Sequence, residues 1–441
     1  NSLYPHLIMQ YNISPETLVE TKHPSATVER LLNQEIEITG PYAVCANGAQ
    51  YRKDIHGFLP EMMQTIYDER KLYKKMMLEA KQANESSPSV ELQKQISRFN
   101  NIQMARKIQL NSAYGAIGNQ YFRYYNLANA EAITLSGQVS IRWIETKMNG
   151  YLNKILKTED VDYVIASDTD SIYLNLGPLV DTVYKDREKD HKSVVTFLDK
   201  VCSLELEPFI DRSYQALATY ANAYDQKMQM KRETIANKGI WTAKKRYILN
   251  AWDIEGVRFA EPKLKIMGIE AVKSSTPAPC RQKIKDGLKV IMNEDEESVQ
   301  KFIADFREEF KSLPPEDVAF PRGCNGISKW SNPVTLYSKG TPIHVRGVIL
   351  YNHYIKKNKL THKYPIVKDG EKIKFIYLKT PNKIAENVIS FMGQFPKELG
   401  LDNSIDYDLQ FEKSFLDPLK VILDTIGWKP EKIATLEFLF G

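Results

Sequence analysis

Two long helix-forming stretches separated by a short polar break restrict the fold of this chain more than any other feature. The first stretch runs from Leu59 to Ala83, the second from Val90 to about Ser112, and Asn84-Glu85-Ser86-Ser87-Pro88-Ser89 lies between them. Asn, Ser and Pro favour turns over helix. Because a short loop leaves two helices side by side and opposite in direction, the sequence predicts an antiparallel helix pair.

A polar stripe lies along each helix of this pair. In the second helix, Lys107, Asn111 and Tyr114 are spaced i, i+4 and i+7, which puts them on one face. In the first helix, Arg70 and Lys74 are spaced i, i+4. If the stripes face each other, their cations and amide surround a volume suited to a triphosphate, with Tyr114 beside a base or sugar. For Arg70 and Lys74 alone, a solvated basic helix face is the simpler interpretation.

An acidic turn between two β-prone runs is the second candidate site. Val161–Ala166 and Ser171–Leu176 flank Ser167-Asp168-Thr169-Asp170, which predicts a hairpin with acids at its tip. Alternate residues of an extended chain face the same way, so Asp168 and Asp170 can offer two carboxylates to Mg²⁺. Aspartate is also common in ordinary polar turns, and for this short motif alone that explanation is the better one.

The remaining pattern is mixed. Residues 1–56 are strand-prone and interrupted by turn signals, as in part of an α/β layer. The sequence after Ser274-Ser275-Thr276-Pro277 becomes helical and charged, which indicates a domain boundary. Further predicted elements are helices at Ala128–Asn149, Asn293–Lys311 and Phe415–Ile426 and a strand at Tyr247–Trp252.

Composition excludes several classes of protein. The cysteines contain no Cys-x-x-Cys pair, which argues against a zinc ribbon or iron–sulfur cluster and fits a reducing compartment; they are Cys45, Cys202, Cys280 and Cys324. No apolar run approaches the roughly 18 residues of a membrane helix, so we expect a soluble, intracellular chain without a membrane partner. A net charge of +5 is too small by itself to indicate nucleic-acid binding.

Three segments in order resemble the polymerase motifs A, B and C of family B DNA polymerases. They are Asn1-Ser2-Leu3-Tyr4-Pro5, Lys107-Ile108-Gln109-Leu110-Asn111-Ser112-Ala113-Tyr114-Gly115 and Asp168-Thr169-Asp170-Ser171. Lys244-Lys245-Arg246-Tyr247, Glu261-Pro262-Lys263-Leu264-Lys265 and Lys273-Ser274-Ser275-Thr276-Pro277 are similar to the replicative polymerases of T-even-like bacteriophages. The resemblance covers most of residues 1–277, and residues 278–441 match only in general character.

The resemblance implies an α+β right-hand fold with an antiparallel-sheet palm, two-helix fingers and a mainly helical thumb. The implied domains are palm at 1–56 and 120–268, fingers at 57–119, thumb at 269–430 and a clamp-binding tail at 431–441. The implied activity is two-metal nucleotidyl transfer from a dNTP to a primer 3′-hydroxyl on a DNA template. The implied setting is viral DNA replication in the cytoplasm of an infected bacterial cell.

The resemblance also implies roles around the metals and the sugar. Asp170 would hold two Mg²⁺ ions, or Mn²⁺ in their place, with Asp168 close by in a secondary role. Ser2 and Leu3 would offer backbone groups to the triphosphate and metal, and Tyr4 would pack under the sugar and disfavour a ribose.

A second set of residues would bind the nucleotide. Among these residues, Lys107 would have a second role, which is to donate a proton to the leaving pyrophosphate, where negative charge accumulates. Glu233 resembles a supporting acid near the metals, although Lys231 replaces an acid expected beside it. The implied triphosphate ligands are Arg70, Lys74, Lys107 and Asn111, and the residues lining the nascent base pair are Tyr114 and Gly115.

Two segments would bind macromolecules. Lys244, Lys245, Arg246 and Tyr247 would grip the primer–template duplex through contacts that are independent of sequence and sensitive to salt; a charged loop is the alternative. Leu436, Phe438, Leu439 and Phe440 resemble an apolar tail that plugs a groove on a sliding clamp. The alternative is a terminal segment docked on the chain's own thumb.

In the family, motif A contains a metal-binding aspartate two residues before the position of Asn1. We therefore expect the isolated chain to have little or no polymerase activity and to need an amino-terminal fragment that supplies this acid and the exonuclease. A split gene, intein processing at Ser2 or a trimmed fragment would each explain the start. The rival function is a non-catalytic DNA- and clamp-binding accessory subunit, which would not need Asp168, Asp170, Lys107, Asn111 and Tyr114 together.

Overall fold

The computed structural model describes residues 3–185 and 190–432. The chain forms two compact units. The first comprises Asn1–Ala236 and Ala251–Pro262, and the second comprises Asn237–Asn250 and Lys263–Gly441. No helix in the described ranges is long and apolar enough to cross a membrane.

The first unit is mainly helical and carries two small antiparallel strand pairs. Its helices are α1 (Leu3–Tyr11), α2 (Val28–Leu32), α3 (Phe58–Ser86), α4 (Val90–Ile117), α5 (Leu127–Leu156), α6 (Gly177–Val183), α7 (His191–Val201) and α8 (Glu207–Tyr220), with a π-helical turn at Cys202–Leu206 between the last two. Its strand pairs are β1 (Ala43–Val44) with β2 (Gln50–Tyr51), and β3 (Val164–Asp168) with β4 (Ser171–Leu174).

Helices α3 and α4 confirm the predicted antiparallel pair. The polar break ends where the Ser89 hydroxyl accepts a hydrogen bond from the Leu92 amide at 3.1 Å, which caps the start of α4. Across the pair, Arg106 forms an ion pair with Glu69 at 2.6 Å, and the Phe99 ring lies 6.4 Å from the ring of Tyr73. Because residue numbers rise along α3 as they fall along α4, these contacts fix the antiparallel register.

The core of the first unit forms around α5. Its buried side chains include Trp143, Ile144 and Met148, each at most 3% exposed. The Trp143 indole N–H donates to the Ser213 carbonyl of α8 at 2.9 Å, so this large ring is buried with its polar atom satisfied. The helix predicted at Ala128–Asn149 is thereby confirmed and extends further.

A three-stranded sheet in the order β5-β6-β7 follows, formed by β5 (Thr234–Ala243), β6 (Arg246–Ile254) and β7 (Val257–Met267). Residues of these strands belong to both units. The acidic hairpin β3-β4 forms a separate antiparallel sheet of two strands.

The second unit combines helices with a sheet. Its helices are α9 (Ala278–Asn293), α10 (Glu296–Lys311), α11 (Pro315–Val318), α12 (Ile327–Trp330), α13 (Ile343–Lys357), α14 (Tyr407–Phe411) and α15 (Asp417–Thr425). Its strands are β8 (Phe320–Gly323), β9 (Ser331–Asn332), β10 (Leu336–Tyr337), β11 (Lys372–Tyr377) and β12 (Val388–Phe391). Short 3₁₀ turns lie at Glu270–Val272, Lys397–Leu399 and Asp402–Ser404, and a π-helical turn at Glu412–Leu416 joins α14 to α15.

The sheet of this unit has the order β12-β11-β8 and is a feature that the prediction of a mainly helical region did not include. Helix α13 lies closely against β12 at Gly347, where a Cβ atom would come within 2.4 Å of the Ser390 Oγ. The alternation of lysine with apolar residues in β11 is the sequence signal for a strand.

The cysteines are free thiols. Cys45, Cys280 and Cys324 are buried and Cys202 is half-buried. Burial raises the pKa of Cys202 and Cys280 to about 11 and that of Cys45 to about 12. These thiols are therefore protonated packing groups at neutral pH.

Candidate active site

Helix α1 brings Tyr4 against Tyr114. The two ring centroids are 4.6 Å apart and the ring planes are inclined by 48°. Two residues further along α1, the His6 ring lies edge-on against Tyr67 of α3 at 4.5 Å. Helix α1 thus packs across both members of the α3–α4 pair and joins two of the sequence-predicted site residues.

The ion pair between Glu69 and Arg106 shows where along the α3–α4 pair the predicted triphosphate ligands lie. Arg70 and Lys107 are the next residues along their helices, so both lie at the same level of the pair. Arg70 is only 6% exposed. Burial lowers the pKa of its guanidinium, and the nearby Tyr67 and Glu255 partly offset this effect.

Lys74, one turn along α3 from Arg70, forms an ion pair with Glu255. The Lys74 Nζ lies 2.5 Å from the Glu255 Oε1, and the two side chains are 27% and 22% exposed. Glu255 belongs to the turn between β6 and β7, where its backbone has φ +53°. Lys74 is therefore close to the expected site but holds a carboxylate of its own chain.

The stripe on α4 is more open. Lys107 and Tyr114 are half-buried, and Asn111 and Gly115 are exposed. No heavy atom lies within 4 Å of the position that a Cβ on Gly115 would take, apart from its own helix. Within residues 3–185 and 190–432, the side chains of Lys107 and Asn111 make no hydrogen bond or ion pair, so both are open to a ligand.

The acidic hairpin has a tight tip. Asp168 pairs with Ser171 across the strands, and the Asp170 amide donates to the Asp168 carbonyl at 2.5 Å. Thr169 adopts φ +53°, and its hydroxyl donates to the Asp168 carboxylate at 3.0 Å. Burial raises the pKa of Tyr214, and the negative charge of Asp170 adds to this effect, which places Asp170 beside α8.

Helix α5 holds the base of this hairpin. The Asn149 side-chain oxygen accepts hydrogen bonds from the amides of Tyr163 and Val164 at 2.9 and 3.0 Å, and its NH₂ group donates to Asp162 at 2.8 Å. Near the tip, the Ser167 hydroxyl donates to Glu145 at 3.3 Å. These bonds fix the position of the two aspartates relative to the core.

The two carboxylates of the hairpin fit a magnesium ion whose other ligands include phosphate oxygens. Mg²⁺ in such sites is held by one or two carboxylates, and its other ligands are waters and phosphate oxygens. Asp168 and Asp170 supply two carboxylates. In the described part of the chain, no cluster of three or more His, Cys, Asp or Glu residues is placed to hold a metal.

Leu3 and Glu233, which were predicted to lie next to the metals, belong to α1 and to the segment directly before β5. Leu3 begins α1, and its Cδ2 would lie 3.3 Å from a Cβ placed on Gly137 of α5. Glu233 accepts a backbone hydrogen bond from the Glu255 amide at 2.6 Å. Lys231, which stands where an acid was expected, bonds Glu207 at 2.7 Å. Ser2 lies outside the described residues.

The predicted DNA-binding segment forms the turn between β5 and β6. Lys244 and Lys245 are exposed, and Lys245 has φ +63°. Arg246 forms two hydrogen bonds with Glu270, at 2.9 and 2.7 Å. Tyr247 is 7% exposed and packs on Trp241 at 6.1 Å. The two lysines are thus exposed to solvent, while the other two side chains hold the turn in place.

The predicted clamp-binding residues Leu436, Phe438, Leu439 and Phe440 lie outside the described residues. The sequence interpretation had no role for Glu255. The only signal for this residue is Glu255-Gly256, a turn-like pair between two β-prone stretches.

Comparison with known proteins decides the family. Residues 1–209 match the model of DNA polymerase family B. The chain is 34% identical to the DNA-directed DNA polymerase of Enterobacteria phage T4 and 35% identical to that of Escherichia phage RB69. Each alignment covers 100% of this chain and 54% of the relative. The chain belongs to DNA polymerase family B.

The similarity extends beyond phages. DNA polymerase 1 of Aeropyrum pernix is 24% identical over 79% of this chain and 29% of its own length. The chain spans about half the length of the curated phage relatives that it matches. The resemblance to T-even-like phage polymerases, drawn from the motifs, is thereby confirmed.

Proposed function

We propose that this chain carries the nucleotide-binding part of a DNA-templated DNA polymerase, which adds dNTPs to a primer 3′-hydroxyl. The observation that carries the proposal is the contact between Tyr4 and Tyr114, which joins motif A to motif B at 4.6 Å. The phage relatives are named DNA-directed DNA polymerases, and this name supports the same reaction class.

The right-hand architecture is part of the proposal. Helices α3 and α4 are proposed as a two-helix fingers domain at residues 57–119, and the segment that contains the acidic hairpin, 120–268, is proposed as the second part of the palm. The helices and sheet after residue 269 are proposed as the thumb.

In the proposed reaction, the chain's own groups bind and orient the nucleotide. Arg70, Lys74, Lys107 and Asn111 hold the triphosphate, since cations and amide donors suit its oxygens. Lys107 donates a proton to the leaving pyrophosphate. Tyr4 packs under the sugar, while Tyr114 and Gly115 line the nascent base pair.

Asp170, with Asp168 beside it, would hold Mg²⁺ at the hairpin tip. When bound, the two ions lower the pKa of the attacking hydroxyl and neutralise charge on the leaving group. Glu233 is proposed to support this site. An amino-terminal polypeptide is proposed to supply a further metal-binding aspartate and the exonuclease.

The macromolecular partners are proposals of the same kind. Lys244 and Lys245 would contact the phosphates of primer–template DNA without reading sequence. The carboxyl-terminal tail would bind a sliding clamp, and the enzyme would act in an infected bacterial cell.

Nucleotide binding by the chain tests the first step of the proposal. Equilibrium titration with dATP should show saturable binding, which Lys107→Ala weakens about tenfold or more because a charge-assisted contact to phosphate is lost. Lys94→Ala is the matched control, since Lys94 is an exposed lysine on the same helix. Equal effects of the two substitutions would refute the proposed triphosphate site.

Reconstitution tests the chemistry. The chain mixed with the amino-terminal region of a related phage polymerase should extend a primer, and Asp170→Ala should abolish extension because it removes the principal metal ligand. Extension that persists in Asp170→Ala would contradict the assignment. Tight DNA binding without nucleotide binding would favour the accessory-subunit alternative.

A further inference from the structure

Glu255 forms an ion pair with one of the cations proposed to hold the triphosphate and acts electrostatically on a second. Its carboxylate is 2.5 Å from the Lys74 ammonium in a half-buried ion pair. Its negative charge also acts on Arg70, where it opposes the lowering of the pKa that burial causes. The Glu255 carboxylate thus pairs with Lys74 and also acts on Arg70, the two cations that α3 would contribute to the triphosphate site.

The position of Glu255 is fixed by the turn that carries it. The Glu255 amide donates to the Glu233 carbonyl at 2.6 Å, and the Gly256 amide donates to the Asp253 carboxylate at 2.9 Å. Asp253 is fully buried and also accepts a hydrogen bond from the Arg258 Nε at 2.7 Å. The Glu255 backbone is therefore held by the sheet, unlike that of a mobile surface loop.

A second bond joins the same turn region to α3. The Arg258 amide donates to the side-chain oxygen of Gln82 at 3.1 Å. Gln82 lies about two helical turns beyond Lys74. Helix α3 is thus attached to the β6–β7 region at two points along its length.

The carboxylate at 2.5 Å neutralises the Lys74 ammonium and takes one of its three N–H donors, so a phosphate oxygen must compete with Glu255 for this group. We propose that Glu255 is an internal competitor of the triphosphate, which keeps Lys74 and α3 docked on the β6–β7 turn until a triphosphate displaces its carboxylate. The inference rests on the proposed function, because it takes Arg70 and Lys74 as triphosphate ligands. The competition, which we call the gate, selects for charge, because a ligand with less negative charge than a triphosphate competes less well with Glu255 for Lys74.

The test uses inorganic tripolyphosphate as the probe, which isolates phosphate binding from base pairing. Its dissociation constant is measured by calorimetric titration of the 441-residue chain and of Glu255→Gln, which removes the charge but keeps the shape. Removal of the competing carboxylate should lower the dissociation constant about two- to fivefold, the range expected for one partly exposed ion pair.

Glu261→Gln is the matched control, because Glu261 is an exposed acid on the neighbouring strand β7. It loses the same charge but makes no bond to α3, so its effect should be smaller. If Glu255→Gln binds tripolyphosphate no more tightly than Glu261→Gln does, the gate does not exist.

Two further variants make the result decisive. Glu255→Asp keeps the charge, so its affinity for tripolyphosphate should stay nearer to that of the original chain; an increase as large as that of Glu255→Gln would overturn the inference.

Lys107→Ala tests the proposed phosphate site separately. If Lys107→Ala weakens binding and Glu255→Gln changes nothing, only the gate fails; if Lys107→Ala has no effect, the proposed site itself fails.

Hydrogen exchange supplies a readout independent of affinity. Tripolyphosphate should speed exchange at the Arg258 amide of the original chain, because displacement of Glu255 loosens the bond to Gln82. In Glu255→Gln this exchange should be fast before ligand is added. Unchanged exchange in both experiments would contradict the docking of α3 by Glu255.

Discussion

The rings of Tyr4 and Tyr114 lie 4.6 Å apart, although one residue begins the chain's first helix and the other ends a helix pair far along the sequence. Tilted aromatic pairs at this distance add about 0.5–1.5 kcal/mol beyond their buried area. The contact therefore stabilises the same packing that would place one ring under a sugar and the other beside a base.

A double-mutant cycle measures this contact. Tyr4→Ala and Tyr114→Ala should each lower the free energy of unfolding, and the double variant should lose about 0.5–1.5 kcal/mol less than their sum. Tyr4→Ala combined with Tyr73→Ala is the control, since Tyr73 packs on Phe99 instead. Additivity in both cycles would show that the two site tyrosines are not energetically coupled.

The anchoring of the acidic hairpin by α5 gives the second prediction. Asn149→Ala removes the acceptor for the amides of Tyr163 and Val164, so both lose a partner at the base of β3. We expect a loss of about 1–3 kcal/mol in unfolding free energy and faster hydrogen exchange at these two amides. Lys154→Ala, at an exposed position on the same helix, should change neither. Unaltered exchange in Asn149→Ala would show that the hairpin is held by other contacts.

Local sequence patterns predicted α3, α4, α5 and the acidic hairpin because each carries its own signal: helical spacing, a capped break and acids between β-prone runs. These patterns could not predict which ion-pair partner each charged side chain has in the folded chain. Arg70 and Lys74 have the spacing of a solvated face, yet Arg70 is 6% exposed and Lys74 holds Glu255. That partner lies 181 positions away, a separation over which helical periodicity carries no information.

The same limit applies to the β5–β6 turn. Lys244-Lys245-Arg246-Tyr247 is basic in sequence, but tertiary contacts divide it into two exposed lysines and two side chains engaged within the fold. Family resemblance indicated the segment, and only the packing distinguishes the cations that can reach DNA.

The buried network under the β6–β7 turn gives the third prediction. Asp253 is fully buried between Arg232 and Arg258, with a carboxylate oxygen 2.7 Å from the Arg258 Nε. Asp253→Asn would remove the buried one of the two carboxylates that pair with Arg232 and Arg258 and leave them only the more exposed Asp199. We therefore expect a loss of about 1–3 kcal/mol in unfolding free energy. Asp225→Asn is the control, because its ion pair with Lys227 is exposed and should contribute less than about 1 kcal/mol. Similar losses in thermal unfolding of the two variants would contradict the role of the buried network.

The pH dependence of stability around Glu270 gives the last prediction. Burial by itself raises the pKa of this carboxyl, but hydrogen bonds from Arg246 and Lys273 outweigh that effect and hold the pKa at about 2. The folded-state pKa therefore lies below the unfolded value of about 4.5, so the stabilisation is complete above about pH 5 and is lost as pH falls towards 2. Without solvent screening, a difference of this size would correspond to about 3 kcal/mol, and screening of this partly exposed pair reduces it to about 1–2 kcal/mol.

Glu270→Gln should accordingly lower the unfolding free energy most at neutral pH, and the gap to the original chain should close between about pH 4.5 and pH 2. Urea titrations across this range measure the gap. Glu294→Gln is the control, since Glu294 is an exposed acid in the same unit and should produce little change at any pH. The difference in unfolding free energy between Glu270→Gln and the original chain could also be independent of pH. Its cause would then be lost packing, and the Arg246–Glu270 ion pair would not hold the β5–β6 turn in place.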